Sequence, residues 1–164
     1  MFPEIALYGT SINPEMYISY ANLNHEVLNK PLADYVKDEY GWTMLQFSAI
    51  CYIKRYERLS MSHLADLLSI TRQQTTQLVE SLSKKQLVTR EHEPDNRRMV
   101  YVRATALAIE QLIAAESVFS ERVRSFISTL PEETQIKVND AIKTMTEILR
   151  AYVEGKESIM NSHR

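Results

Sequence analysis

The sequence predicts a mainly α-helical chain carrying one small β-hairpin, and three observations lead there. Apolar residues recur at helical spacing over most of the 164 residues. One region, LVTREHE to RMVYVRA, is β-permissive on both sides of a Pro94-Asp95-Asn96 turn. After residue 105, two stretches hold apolar stripes longer than a compact core needs. With 45% hydrophobic residues the chain can bury one ordinary core, or extend part of itself to share a core with a second copy.

Taken in order, Asn13-Pro14-Glu15 predicts a helix start: asparagine suits the cap, proline the first turn, and glutamate the positive end of the dipole. Pro31 predicts a kink or restart, because proline removes a donor and crowds the preceding turn. From Thr43 to about Arg58, Leu45, Phe47, Ile50, Cys51 and Ile53 recur as an inward helical face. Ser60 offers a cap for the short segment MSHLADLL. Thr71 and Gln74 form a capping box, so the next helix begins at Arg72 with Thr75, Leu78, Val79 and Leu82 inward. Val88, Val100 and Val102 are the inward positions of the hairpin. Beyond it, Ile109, Leu112, Ile113, Phe119, Val123, Phe126 and Ile127 form one stripe. After Pro131-Glu132-Glu133, Val138, Ile142, Met145, Leu149 and Tyr152 step by four and three, which is a packing seam.

A short helix, a turn, a second amphipathic helix and then a hairpin is the order of a winged helix-turn-helix. The predicted organisation is an N-terminal dimerisation helix region at 1–40, a winged helix-turn-helix at 41–105 and C-terminal dimerisation helices at 106–164. A homodimer covers the stripes and sets two such helices about 34 Å apart, one turn of DNA. A monomeric helical bundle is the alternative.

Charge follows the same division. Residues 60–105 hold seven basic groups against five acidic ones, while each flank sums to −2. A polyanion contacted by the centre alone suits that pattern. The outward face of the second helix displays Gln73, Thr76, Gln77, Glu80 and Lys84, with Arg72 at its edge. Two glutamines, a threonine and an arginine suit base edges in a major groove, although a solvated face remains the alternative. Arg97 and Arg98 at the hairpin tip suit a minor groove, whose negative potential attracts arginine, or else pair with Glu91, Glu93 or Asp95.

Three segments resemble the MarR family of transcription regulators. GWTMLQFSAI is similar to that family's helix start, SHLADLLSITRQQTTQLVESLSKKQLVTR to its helix-turn-helix, and EPDNRRMVYVRAT to its wing. The resemblance implies double-stranded DNA as partner, on a pseudo-palindromic operator. It also implies base reading by Arg72, Gln73, Thr76 and Gln77, minor-groove entry by Arg98, and phosphate contacts by Arg97 and Lys84. Asn96 replaces the wing's second aspartate, so the usual Asp to Arg brace is missing unless Asp95 substitutes. Gln86 and Ala108 replace two usual glycines, so the end of the recognition helix is expected to be shaped differently. The family's small aromatic effectors imply a pocket near Tyr17, Tyr20, His25, Trp42 and Tyr52, residue types that also serve as plain core.

Other chemistry finds no support. Gly9, Gly41 and Gly155 make no phosphate loop, and no nucleophile has an activating base, so an enzyme is not expected. No cofactor is expected. His25, His63, His92 and His163 have no i, i+4 pair, so no metal site is expected either. Cys51, alone and inside a helix, reads as core filler rather than redox sensor. No apolar run approaches a membrane span, and the N-terminus lacks a signal peptide, so the chain is expected to be soluble and cytoplasmic. The expected function is a homodimeric, sequence-specific transcription regulator, a repressor for preference. The alternative is a winged-helix protein-interaction module that has lost DNA binding.

Overall fold

The computed structural model describes residues 14–93 and 99–161. Helix α1 (Pro14–Asn24) opens on the expected proline, while Asn13 lies outside the described residues. Pro31 does interrupt the helix. Residues His25–Asn29 widen into a π-helical turn in which Lys30 N donates to the His25 carbonyl, and α2 (Lys30–Tyr40) restarts with the proline in its first turn. The extra residue relieves the clash of the proline ring with the turn before it. At the end of α2, Gly41 takes a left-handed φ of 63°, which glycine adopts without steric cost.

Helix α3 (Met44–Tyr56) begins at a full capping box: Gln46 N donates to Thr43 Oγ1 at 3.2 Å and Thr43 N to Gln46 Oε1 at 3.0 Å. Phe47, Ile50 and Ile53 are buried as the spacing predicts, but Leu45 is 40% exposed. It stands about 140° round the helix from Ile50. Buried Gln46 occupies the inward place instead.

A strand that the sequence did not signal follows. β1 (Leu59–Ser60) is two residues long, too short for any alternation to announce it. Ser60 also caps α4 (Met61–Leu68), accepting from His63 N at 3.2 Å. Helix α5 (Arg72–Lys84) starts at the predicted box, where Gln74 N donates to Thr71 Oγ1 and Thr71 N to Gln74 Oε1. Its stripe of Thr75, Leu78, Val79 and Leu82 is buried. At its far end Leu87 N donates to Leu82 O and Gln86 N to Ser83 O, both at 2.9 Å, with Gln86 at φ 59°. That is a Schellman motif, so the expectation of a differently shaped end fails: glutamine accepts the left-handed backbone that a glycine would have given.

Strands β2 (Val88–His92) and β3 (Val100–Ala104) form the hairpin, with β1 on the other side of β3, all antiparallel. The Pro94-Asp95-Asn96 turn lies outside the described residues, as do Arg97 and Arg98. Trp42, Ile50, Ile53, Leu64, Leu82 and Val102 meet in one core.

The chain divides into two compact units, residues 1–117 and 118–164. In the first, α6 (Ala106–Ser128) is capped by Thr105 and gives Ala108, Leu112 and Ala115 to the core. In the second, Phe126, Ile142 and Leu149, the last two on α7 (Glu132–Asn161), are 56%, 56% and 54% exposed. Among the described residues, no helix is long and apolar enough to cross a membrane.

Candidate nucleic-acid interface

The outward face of α5 is built by what its inward face buries. With Thr75, Leu78, Val79 and Leu82 committed to the core, Arg72, Gln73, Thr76, Gln77, Glu80 and Lys84 are all exposed. Gln74, the other glutamine of the first turn, is consumed by the capping box, which explains why the face carries two free amides and not three. Thr76 Oγ1 donates to Arg72 O at 3.0 Å and keeps its lone pairs outward.

Polar ties fix the pitch of this helix. Gln46 Nε2 donates to Ser81 Oγ at 2.8 Å, and Gln46 Oε1 accepts from Lys85 Nζ at 3.2 Å. Lys85 Nζ also donates to the carbonyl of Gly41, just past the end of α2. A buried amide with every group satisfied locks one arrangement, because moving it strands several partners at once.

Beside α5 lies a cleft of about 490 Å³ lined by Ser60, Met61, Ser62, Arg72, Thr76, Arg90, Met99 and Val100. Two guanidinium groups, three hydroxyls and the start of α4 meet there, a setting suited to an anion. Arg90, Ser60 and Ser62 were not among the residues expected from the sequence. Alternation could have found Arg90, since it lies two residues from inward-facing Val88 and shares its face of the strand.

The five aromatic and histidine candidates lie on α1, in the π-helical turn, just before α3 and on α3. Tyr17 belongs to α1, but its side chain is outside what is described; Tyr20, also on α1, is 55% exposed; His25, in the π-helical turn, is exposed. Trp42 is 1% exposed and packs on the Tyr40 ring at 5.3 Å, while Tyr52 is half-buried against the same core. A hydrogen bond with Tyr35 and burial push the Tyr40 phenol up to about 12. Burial, then the nearby Glu116 charge, pushes the Cys51 thiol up to about 11. Among the described residues, no three His, Cys, Asp or Glu side chains gather to hold a metal ion.

A family model described as the MarR family matches residues 42–100, the span from the start of α3 into the hairpin. The chain carries a MarR-family domain. No curated protein sequence matches. Solved structures carry the same fold beyond the MarR-family match. MepR, described as a transcription regulator of the Staphylococcus aureus multidrug efflux pump MepA, is 20% identical with a TM-score of 0.68, covering 81% of this chain and 97% of its own. BldR, a transcriptional regulator from Sulfolobus solfataricus, is 22% identical at a TM-score of 0.64, covering 87% and 99%. A mutant of S. aureus MepR, solved bound to an oligodeoxyribonucleotide, is 22% identical at 0.63, covering 82% and 97%.

Proposed function

We propose that this chain is a homodimeric DNA-binding transcription regulator and not an enzyme, with the three-part organisation of residues 1–40, 41–105 and 106–164. The observation that carries the reading is the exposed face of α5, where Arg72, Gln73, Thr76 and Gln77 project from a helix locked at both ends. Glutamine pairs with adenine and arginine with guanine in a major groove. Arg98 enters the minor groove, and Arg97, Lys84 and the cleft arginine Arg90 hold phosphates. A MarR-fold relative bound to an oligodeoxyribonucleotide supports the choice of partner.

The exposed apolar faces of α6 and α7 support a second copy of the chain as the other partner. A dimer seated on a promoter blocks polymerase without further contacts, so the regulator is a repressor. Release follows binding of a small aromatic effector near Tyr17, Tyr20, His25, Trp42 and Tyr52.

Fluorescence anisotropy against a randomised duplex library at rising salt tests the core of this reading. Wild type is expected to bind steeply salt-dependently, and Arg98→Ala to flatten the slope by about one unit. Gln73→Ala is expected to cost about 1–3 kcal/mol on the selected site and little elsewhere. A folded dimer that binds no duplex near about 50 mM salt would point instead to a protein-docking module.

A further inference from the structure

We propose that Arg58 is a positioning residue that clamps the hairpin to the end of α3, an inference that rests on reading the hairpin as a DNA-contacting wing. It starts from the backbone. After α3, Glu57 adopts φ 58° and ψ −38°, and Arg58 N comes 2.6 Å from Tyr56 O. This is the positive-φ γ-turn, a rare and strained shape for any residue with a side chain. Glu57 is exposed, so its own side chain gains no burial from the turn. The turn brings Leu59 into the core and leaves Arg58 lying across the sheet.

There the guanidinium meets both strands. Its Cζ sits 3.7 Å from the centre of the Tyr101 ring on β3, a close cation–π stack. Its Nη2 donates to Glu93 Oε2 at 2.7 Å, and Nε lies 3.7 Å from Glu91 Oε2 on β2. Arg103 Nε takes Glu91 from the other side at 2.9 Å. Glu93 N also donates to Met99 O, the outermost described rung of the hairpin, so the clamp grips next to that rung. Two consequences follow. The direction of the hairpin is tied to α3 and not left to the sheet alone. Two carboxylates near its outer end, which would repel a polyanion, are already paired with arginine. Arg58 supplies a brace from outside the hairpin, at its outer described end. Lysine could not replace it, having neither the planar stack nor the fork.

The sign of one substitution decides the matter. Glu93→Ala deletes a negative charge close to DNA, so bulk electrostatics alone predicts tighter binding. The clamp predicts weaker binding, because Arg58 loses its anchor. The full chain and its variants are titrated against a duplex of randomised sequence, and hairpin amides are followed by hydrogen exchange without DNA. Arg58→Ala is expected to weaken binding about fivefold to tenfold, the scale of a lost half-exposed ion-pair and stacking network. Glu93→Ala is expected to weaken it about twofold or more. In both, hairpin amides exchange faster while those of α5 do not. Arg58→Ala should add to Lys84→Ala but not to Arg98→Ala, because only the last shares its route. Unchanged or tighter binding by Glu93→Ala, with hairpin protection intact, overturns the clamp. If Lys84→Ala and Arg98→Ala leave affinity untouched, the DNA reading falls instead, and the hairpin amides still decide whether Arg58 is a clamp.

Discussion

Gln86 holds a left-handed backbone at φ 59°, a conformation that costs an ordinary residue roughly 1 kcal/mol and glycine almost nothing. Gln86 is exposed, so no packing is lost on removing its side chain. Gln86→Gly is therefore expected to stabilise the fold by about 0.5–1 kcal/mol, read as a raised urea midpoint with an unchanged slope. A fall would mean that the glutamine side chain matters to the fold. Cys51 permits a second test. Its thiol is raised from 9.0 to about 11, so the folded state holds the proton more tightly than the unfolded chain does. The stability this contributes is complete below the ordinary thiol range and is lost as pH climbs towards 11. Alkylation at pH near 8 should run about 100-fold slower in the folded chain than in urea, since thiolate is the reactive form. Comparable rates would reopen oxidant sensing. At this scale the sequence told that Ser60 and Thr71 cap and that Thr75, Leu78, Val79 and Leu82 face inward, but it placed Leu45 inward where it is exposed. It did not tell that a glutamine would accept a glycine's backbone, because steric cost is visible in sequence only as a preference.

Local signals decided the elements wherever a cap and a stripe coincided. Ser60, and Thr71 with Gln74, started α4 and α5 where expected, while the Thr43 and Gln46 box at the start of α3 was found only in the structure. Partnerships across the chain were not legible. Gln46 completes the capping box of α3, yet its amide also reaches Ser81, 35 residues away, and accepts from Lys85. β1 exists only because β3 is there to pair with it. The tie at Gln46 fixes α5 against α3, so Gln46→Ala should do more than lose a cap. It leaves Thr43 N, Ser81 Oγ and Lys85 Nζ short of a partner, and is expected to cost about 2–3 kcal/mol. Gln74→Ala, which removes the matching but exposed box, is expected to cost about 1 kcal/mol or less. Urea titrations of the two variants compare them directly. Equal losses would show that the cross-element bonds add nothing to the cap.

At the scale of the whole molecule, the deciding feature is apolar surface left facing solvent. Ile142 and Leu149 on α7 are 56% and 54% exposed, and Ile148 60%, on a helix of 30 residues. The periodicity of these residues was legible, but what covers them was not, since one sequence cannot distinguish a neighbour in its own chain from a second copy. Fully burying a leucine or isoleucine contributes about 1.5–3 kcal/mol, so a seam of several is enough to hold two chains together. Ile142→Lys with Leu149→Lys places two charges in that seam. Burying each without a partner costs several kcal/mol, and the pair is expected to abolish the proposed dimer in light scattering. Half-site spacing then makes DNA the second readout. A monomer presents one α5 to one half-site, so it should lose most affinity for a two-half-site duplex while keeping what little it has for a single half-site. A variant that stays dimeric would place the interface elsewhere on the chain, and one that is monomeric yet binds the full duplex as tightly as wild type would remove the dimer from the proposed function.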